Sequence, residues 1–127
     1  MDVQKWRSED CDSLANPGVQ SRQLVWERNS PDSLVTITRV TMEPGAASQR
    51  HSHQRSEQIW IIEQGEGVLL LAEKTETLRA GDIVRTPAGA VHGISNNATR
   101  PLVYLAVTAP PQNFSYAYEA TTLAGGE

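Results

Sequence analysis

The chain is divided into short runs of β-forming residues by clusters of turn residues, and this alternation limits its fold more than any other feature. Typical clusters are Glu43-Pro44-Gly45, Ala80-Gly81-Asp82 and Pro87-Ala88-Gly89. No stretch has a sustained helical periodicity. Many short strands at this spacing are typical of an antiparallel sandwich or barrel, so we expect an all-β fold. The predicted strands are Arg22–Arg28, Leu34–Met42, Gln49–His53, Gln58–Glu63, Gly67–Ala72, Lys74–Leu78, Ile83–Thr86, Val91–Asn96 and Leu102–Thr108.

The 127 residues have the length of a single domain. Residues 1–18 are polar and end in a turn signal, so we expect an N-terminal arm there. A barrel is expected over residues 19–110, followed by a tail over residues 111–127. The tail has aromatic residues at alternate positions, which would share one side of an extended chain. We expect the tail to pack on the barrel or on a partner subunit.

Charge and composition exclude several classes of partner. Eleven basic and fifteen acidic residues give a net charge of −4, whereas a nucleic-acid binder needs a basic face. The longest apolar run, Val68–Ala72, is far shorter than the ~20 residues that span a bilayer, so no membrane partner is expected. The N-terminus is too charged for a signal peptide, and Cys11 is the single cysteine. We therefore expect a cytoplasmic protein.

The three histidines suggest a metal site. His51 and His53 are two residues apart, which places both imidazoles on one face of a β-strand. Neutral imidazoles that share a small volume suit a divalent transition metal. Taken alone, the pair is about equally well explained by two exposed loop histidines, so the surrounding sequence has to decide.

Two motifs surround these histidines. The first has Gly45, five residues, His51-Ser52-His53, a polar cluster and then Gly65. It resembles the first motif of the cupin superfamily. The second, which runs from Gly81 through Pro87-Ala88-Gly89 and His92 to Asn96, matches the family pattern G-x5-P-x-G-x2-H-x3-N at every position. The resemblance implies a cupin-type double-stranded β-helix, an antiparallel jelly-roll barrel that places His92 beside the other two histidines.

The fourth ligand position departs from the family pattern. Cupins usually have a Glu there, three or four residues after the second histidine and six before the closing glycine. Glu57 has three residues before it but seven after it, whereas Gln58 has four and six and so fits both counts. A shift of one residue turns a strand side chain to the other face. We therefore expect Gln58 to point inward with Trp60, and Glu57 to be a ligand only if a β-bulge absorbs one residue.

The implied metal site consists of His51, His53, Gln58 and His92, with divalent Fe, Mn, Ni, Zn, Co or Cu as the cofactor. Three neutral imidazoles and an amide leave the ion its full charge, which favours anionic ligands. The resemblance implies a metal-dependent enzyme for a small, oxygen-rich, anionic organic molecule: a dioxygenase, an isomerase or a lyase (decarboxylase). No separate catalytic base is identifiable. The alternative is a non-catalytic binding or sensor cupin whose metal is structural or absent.

Three other residues and one surface complete the expectations. Trp60 and Tyr104 are expected to pack in the core, with lining of the cavity as their functional alternative. Arg39 is expected in a surface ion pair, since a buried arginine is rare without a partner; its alternative is to hold a substrate carboxylate. Apolar residues lie on both faces of Gln58–Glu63, whereas a strand with one wet face should alternate. We therefore expect a homodimer through an outer sheet face.

Overall fold

A computed structural model describes residues 2–124 of the chain, and all strand pairings in this part are antiparallel. The strands are β1 (Ser13–Asn16), β2 (Val19–Val25), β3 (Thr36–Met42), β4 (Ala47–His51), β5 (Glu57–Gln64), β6 (Glu66–Leu71), β7 (Thr75–Arg79), β8 (Ile83–Thr86), β9 (His92–Ser95), β10 (Leu102–Ala109) and β11 (Ala120–Thr122). Two single turns of 3₁₀-helix cover Ser8–Asp10 and Ser115–Ala117. The predicted all-β class is confirmed.

The strands form two sheets. The larger has the order β11-β1-β2-β3-β10-β5-β8, and the smaller has the order β4-β9-β6-β7. Buried side chains from both sheets make up one hydrophobic core, including Met42, Ile62 and Leu102 from the large sheet and Leu69 and Ile94 from the small one. The core therefore lies between the sheets, as in the double-stranded β-helix that the motifs imply.

Alternating burial sets the direction of each side chain in the central strands. In β5, Gln58, Trp60 and Ile62 are buried, whereas the residues between them are only half-buried. Pairing with β10 on one side and β8 on the other holds this register. Gln58 therefore faces the interior, which is the direction that counting from the glycines predicts.

Three parts of the chain differ from the strand predictions. β4 covers Ala47–His51 rather than Gln49–His53, so His53 lies beyond its end and not on one strand with His51. β2 begins and ends three residues earlier than predicted, because residues 26–30 form a turn. In that turn the Trp26 carbonyl accepts a hydrogen bond from the Ser30 N–H (2.8 Å), and the Asn29 side chain accepts one from the Trp26 N–H (2.9 Å). β1 lies in the segment expected to be an arm and pairs with β2 on one edge and with β11 of the tail on the other.

The tail also differs from an extended strand. The 3₁₀ turn at Ser115–Ala117 breaks the alternation of its aromatic residues. Phe114 lies beside His53, Tyr116 is 72% exposed, and Tyr118 packs against the core. Residues 125–127 of the predicted tail lie outside the described residues. No helix among residues 2–124 is long and apolar enough to cross a membrane.

Candidate metal centre

The three histidines converge at one end of the small sheet. His51 ends β4, His92 begins β9, and the two residues are direct partners across the ladder. Their ring centroids are 4.4 Å apart, and those of His53 lie 4.9 Å from His51 and 5.1 Å from His92. The imidazole nitrogens that could bind a metal all lie within 4.8 Å of one another. In the structure the three histidines therefore converge as predicted.

Two glycines permit this arrangement. The pairing of β4 with β9 shifts register between Ser48 and His51, which brings the β4 backbone close to Gly93. A Cβ atom at Gly93 would lie 2.8 Å from the Ser48 carbonyl oxygen, so no larger residue fits beside His92. On the other side, the N–H of Gly89 donates a hydrogen bond to the His53 carbonyl (2.7 Å). The second motif thus holds the backbone of a histidine from the first.

Hydrogen bonds at Nδ1 orient two of the rings. His51 Nδ1 lies 2.7 Å from the carbonyl oxygen of Gln49, and His92 Nδ1 lies 3.0 Å from that of Ala90. A carbonyl oxygen only accepts, so in both rings the proton resides on Nδ1. The lone pair of each Nε2 is then available to an ion.

The inner nitrogens have no partner within the described chain. Nε2 of His53 and Nε2 of His92 are both buried and make no hydrogen bond among these residues. Burial lowers the pKa of His53 to about 4, with smaller contributions from the His51 and His92 imidazoles. Burial also lowers the pKa of His92, and His51 adds to this effect, although the hydrogen bond to Ala90 opposes it. Both rings are therefore neutral near pH 7, as metal ligands must be.

This donor set fits a divalent transition metal. A buried polar atom without a partner costs free energy, and two such nitrogens at one point are most simply satisfied by a shared ion. Bonds from imidazole nitrogen to zinc are about 2.0–2.1 Å long, so nitrogens as far apart as 4.8 Å would have to move closer together to share one ion. Oxygen-seeking ions such as Ca²⁺ are disfavoured by an all-imidazole set.

Gln58 and Glu57 lie on opposite faces of β5. Gln58 faces the cavity beside the histidines, where its amide oxygen accepts from the Trp60 indole (2.9 Å) and its amide nitrogen donates to Thr108 Oγ1 (2.9 Å). Glu57 forms a 2.9 Å ion pair with Arg85, with both side chains largely exposed. The β5–β8 pairing is regular at this point, so no bulge turns Glu57 inward.

A cavity of about 540 Å³ opens beside the histidines. One wall is aromatic, formed by Trp60, Tyr104, Phe114, Tyr116 and Tyr118. The lining also includes small polar side chains, among them Ser21 and Thr38. Arg50, at the exposed rim, is the one charged side chain among the described residues that line the cavity, and no carboxylate is among them.

The other residues singled out from the sequence also have definite positions. Trp60 and Tyr104 pack in the core and also line the cavity, so the two positions expected for these residues do not exclude each other. Burial raises the pKa of the Tyr104 phenol, which stays protonated. Arg39 forms a 3.2 Å ion pair with Glu63 on the outer face, which is the surface position expected for it.

Sequence reasoning missed two contributors from other parts of the chain. The Phe114 ring meets His53 edge-on at 5.5 Å, and the Gln112 side chain lies 3.4 Å from His53 Nδ1. Both residues follow the last barrel strand, about 60 positions from His53; the aromatic row of the tail predicted packing on the barrel or a partner, but no motif marks either residue as part of the site. Gly93 was also missed, although its position directly after a motif histidine is a usable signal.

The model of the cupin domain family matches residues 38–108, which include all three histidines. The chain belongs to the cupin family. An oxalate-binding protein of Thermotoga maritima is 35% identical to this cupin over 71 residues, which are 56% of this chain and 59% of the relative. The match therefore spans little more than half of either protein.

Solved structures share the fold of this cupin. A predicted oxalate decarboxylase from Thermotoga maritima superposes with a TM-score of 0.74 at 24% identity, over 84% of this chain and 99% of that one. KdgF from Halomonas sp. has a TM-score of 0.74 at 22% identity, over 86% of this chain and 96% of that one. At these identities the likeness concerns the fold alone.

Proposed function

We propose that this cupin is a metal-dependent protein that acts on a small, oxygen-rich, anionic organic molecule bound at the metal. The observation that carries the proposal is the pair of buried, unpartnered Nε2 atoms of His53 and His92, which face the same point as His51. The ion is one of divalent Fe, Mn, Ni, Zn, Co or Cu. When bound, it supplies a positive centre that polarises the oxygen atoms of the substrate.

Gln58 is the fourth ligand in this proposal. Its amide oxygen already accepts one hydrogen bond from Trp60 and has a second lone pair to offer. The hydrogen bond from its nitrogen to Thr108 holds the amide with its oxygen turned away from that hydroxyl. Glu57 is not needed, because Arg85 engages it on the outer face.

The charge of the cavity supports an anionic ligand. Three neutral imidazoles and an amide leave a divalent ion with its formal charge of +2, and no carboxylate lines the described part of the cavity to offset it. Arg50 adds a second positive charge at the rim. An anion drawn in by this field would bring oxygen atoms directly to the ion.

The size of the cavity supports a ligand larger than the oxalate named for the Thermotoga relative. About 540 Å³ lies within the ~300–1,000 Å³ typical of sites that hold whole organic molecules. Oxalate would fill only the part next to the ion. The aromatic wall would then contact the remainder of a longer or cyclic carboxylate.

Non-catalytic binding is the second candidate, and it also has an observation in its favour. None of the described residues that line the cavity is an Asp or Glu. Burial raises the pKa of the Tyr118 phenol, while a hydrogen bond with Ser21 opposes the shift. A site without a carboxylate near its ion offers no obvious general base, and this suits a binding or sensor role.

The experiment uses chain purified without an affinity tag. Elemental analysis should find one transition-metal ion per chain, and His51→Ala should lose it, whereas Gln54→Ala, at an exposed position outside the cavity, should keep it. Calorimetry should then detect oxalate or citrate binding only to the metal-loaded protein. Product formation from the bound acid would favour the enzyme, and binding without turnover would favour the binding module. Equal metal content in wild type and His51→Ala would refute the metal site and the metal-dependent function, and would leave only a binding module without metal.

We also propose a homodimer through the outer face of the large sheet. On that face Ile61 lies between Leu105 and Ile83, and Val107 lies beside Ile59. Ile83 is 63% exposed, although apolar side chains of this kind are normally covered. The other four side chains are half-buried and continue the apolar face around Ile83; a contiguous apolar patch is typical of an interface, and a second copy of the chain offers the same face.

A further inference from the structure

The segment that follows β10 crosses the cavity beside the candidate metal centre and is fixed there through Gln112. The Gln112 N–H donates to Thr36 Oγ1 (3.0 Å), and the Thr36 hydroxyl donates to the Gln112 carbonyl (3.2 Å). Just before it, the Pro110 carbonyl accepts a hydrogen bond from Ser56 Oγ (2.8 Å). These hydrogen bonds fix the backbone at Pro110 and at Gln112 against the barrel, so the Gln112 side chain extends from a fixed position.

His53 differs from the other two histidines in how its outer nitrogen is held. His51 and His92 each place Nδ1 on a backbone carbonyl two residues earlier. His53 lies beyond the end of β4, and its Nδ1 faces the side-chain amide of Gln112 at 3.4 Å. The same amide atom, Nε2, donates a hydrogen bond to the Tyr116 hydroxyl oxygen (2.9 Å).

The orientation of this amide decides which nitrogen of His53 holds the proton. With the amide nitrogen at this point, an N–H donates to the lone pair of Nδ1. The ring proton is then on Nε2, which is buried, has no acceptor among the described residues and cannot bind a metal. A half-turn of the amide puts its oxygen there instead, where it accepts from Nδ1–H of His53 and from the O–H of Tyr116. Nε2 then presents its lone pair to the cavity.

We propose that Gln112 is a positioning residue that, through its amide oxygen, holds His53 in the tautomer whose Nε2 binds the metal. Gln112 contacts no substrate and no ion in this role. It acts through His53, as carboxylates and carbonyls do when they hold metal-bound histidines. In this orientation the Tyr116 hydroxyl, which lies 2.9 Å from the same amide position, would donate to the second lone pair of the oxygen and keep it facing His53. The inference rests on the proposed function, because it requires an ion at the three histidines.

The test measures Co²⁺ binding by the full chain, through its affinity and through the visible absorption of the bound ion. Gln112→Leu removes the acceptor, and we expect its Co²⁺ affinity to fall about 10- to 100-fold with a changed absorption spectrum. Gln112→Glu keeps the shape and can only accept, so we expect wild-type affinity or tighter. Tyr116→Phe removes one donor to the oxygen while Nδ1–H remains, so we expect a smaller loss. Circular dichroism of the metal-free variants checks that each is folded.

The outcomes separate this inference from the function on which it rests. Wild-type affinity and spectrum in Gln112→Leu would overturn the role of Gln112. Equal weakening by the Leu and Glu variants would also overturn it, because loss of packing would then explain both. Should wild type itself bind Co²⁺ no better than His53→Ala, the metal site would fail rather than the positioning residue alone.

Discussion

The metal-free protein should lose stability between pH 6.5 and pH 4, because His53 is buried in its neutral form. The pKa of this imidazole is lowered from 6.5 to about 4 in the folded chain. Below pH 6.5 the unfolded chain takes up a proton that the folded chain refuses, so acid favours unfolding. The contribution of His53 is fully present above pH 6.5 and is lost progressively as the pH falls toward 4.

The magnitude follows from the size of the shift. Each pH unit in this window lowers the free energy of unfolding by up to ~1.4 kcal/mol for each proton that only the unfolded chain binds. The interval from 6.5 to about 4 therefore corresponds to about 3 kcal/mol for His53. His92 is shifted in the same direction and adds to the loss. A domain is typically stable by only ~5–15 kcal/mol, so the effect is a large fraction of the total.

The assay is denaturant unfolding of chelator-treated protein at several pH values, with His53→Gln as the matched variant. Between pH 6.5 and 4.5 we expect the free energy of unfolding to fall more steeply with decreasing pH in wild type than in the variant. The difference between the two slopes should correspond to the uptake of up to one additional proton on unfolding. Asp12 does not titrate within this pH range, because its pKa is lowered from 3.8. Burial raises the pKa of this carboxyl, but hydrogen bonds from Ala124, Arg28 and Trp26 lower it by more. Its contribution is lost only at lower pH. An equal slope in wild type and variant would refute the reasoning.

Three further predictions concern the ligand set, the fold and the assembly. Gln58→Glu should tighten Zn²⁺ binding in a competition titration, because a carboxylate offsets part of the charge of the ion; unchanged or weaker affinity would argue against Gln58 as a ligand. Gly65→Ala should destabilise the chain by roughly 3 kcal/mol in urea unfolding, because its φ is +84° and a Cβ would lie 2.4 Å from the Pro101 carbonyl oxygen. Gly81→Ala, with φ +97° and open space, should cost about 1 kcal/mol, and similar losses for both would contradict the clash. Leu105→Asp should turn a dimer into a monomer in light scattering, whereas a wild-type monomer at micromolar concentration would remove the proposed interface.

The histidine cluster could be predicted because the glycine and histidine spacings resemble the cupin motifs, whose spacing is tied to turns. Gly45, Gly65 and Gly81 all adopt positive φ, so each marks the end of a strand and fixes the count to the next ligand position. The two family counts, forward from His53 and back from Gly65, favoured Gln58 over Glu57 as the inward residue, with a β-bulge as the alternative. Successive side chains of a strand point to opposite faces of the sheet, so a count of residues determines which face a side chain lies on.

The contributors that were missed depend on contacts between distant parts of the chain. Gln112 reaches His53 because Thr36 and Ser56 hold the segment after β10, and none of these pairings leaves a local pattern. β1 and β11 are equally hard to predict, since each is short and each completes the sheet edge beside the other. Such strands form because a partner exists, and propensity within three or four residues is too weak to reveal them.

The cavity's charges bear on the choice between binding and catalysis. Proton transfer needs a group whose pKa lies near the working pH, and a metal site with a nearby carboxylate would supply one. In the described part of this cavity the non-ligand titratable groups are Arg50 and three tyrosines, and burial raises the pKa of Tyr104 and of Tyr118. Tyr104 and Tyr118 therefore hold their protons at neutral pH, so they can donate hydrogen bonds to an anion but cannot accept its proton. Anion affinity should therefore be nearly constant from pH 7 to 8.5, and any turnover would draw its base from the substrate or from solvent.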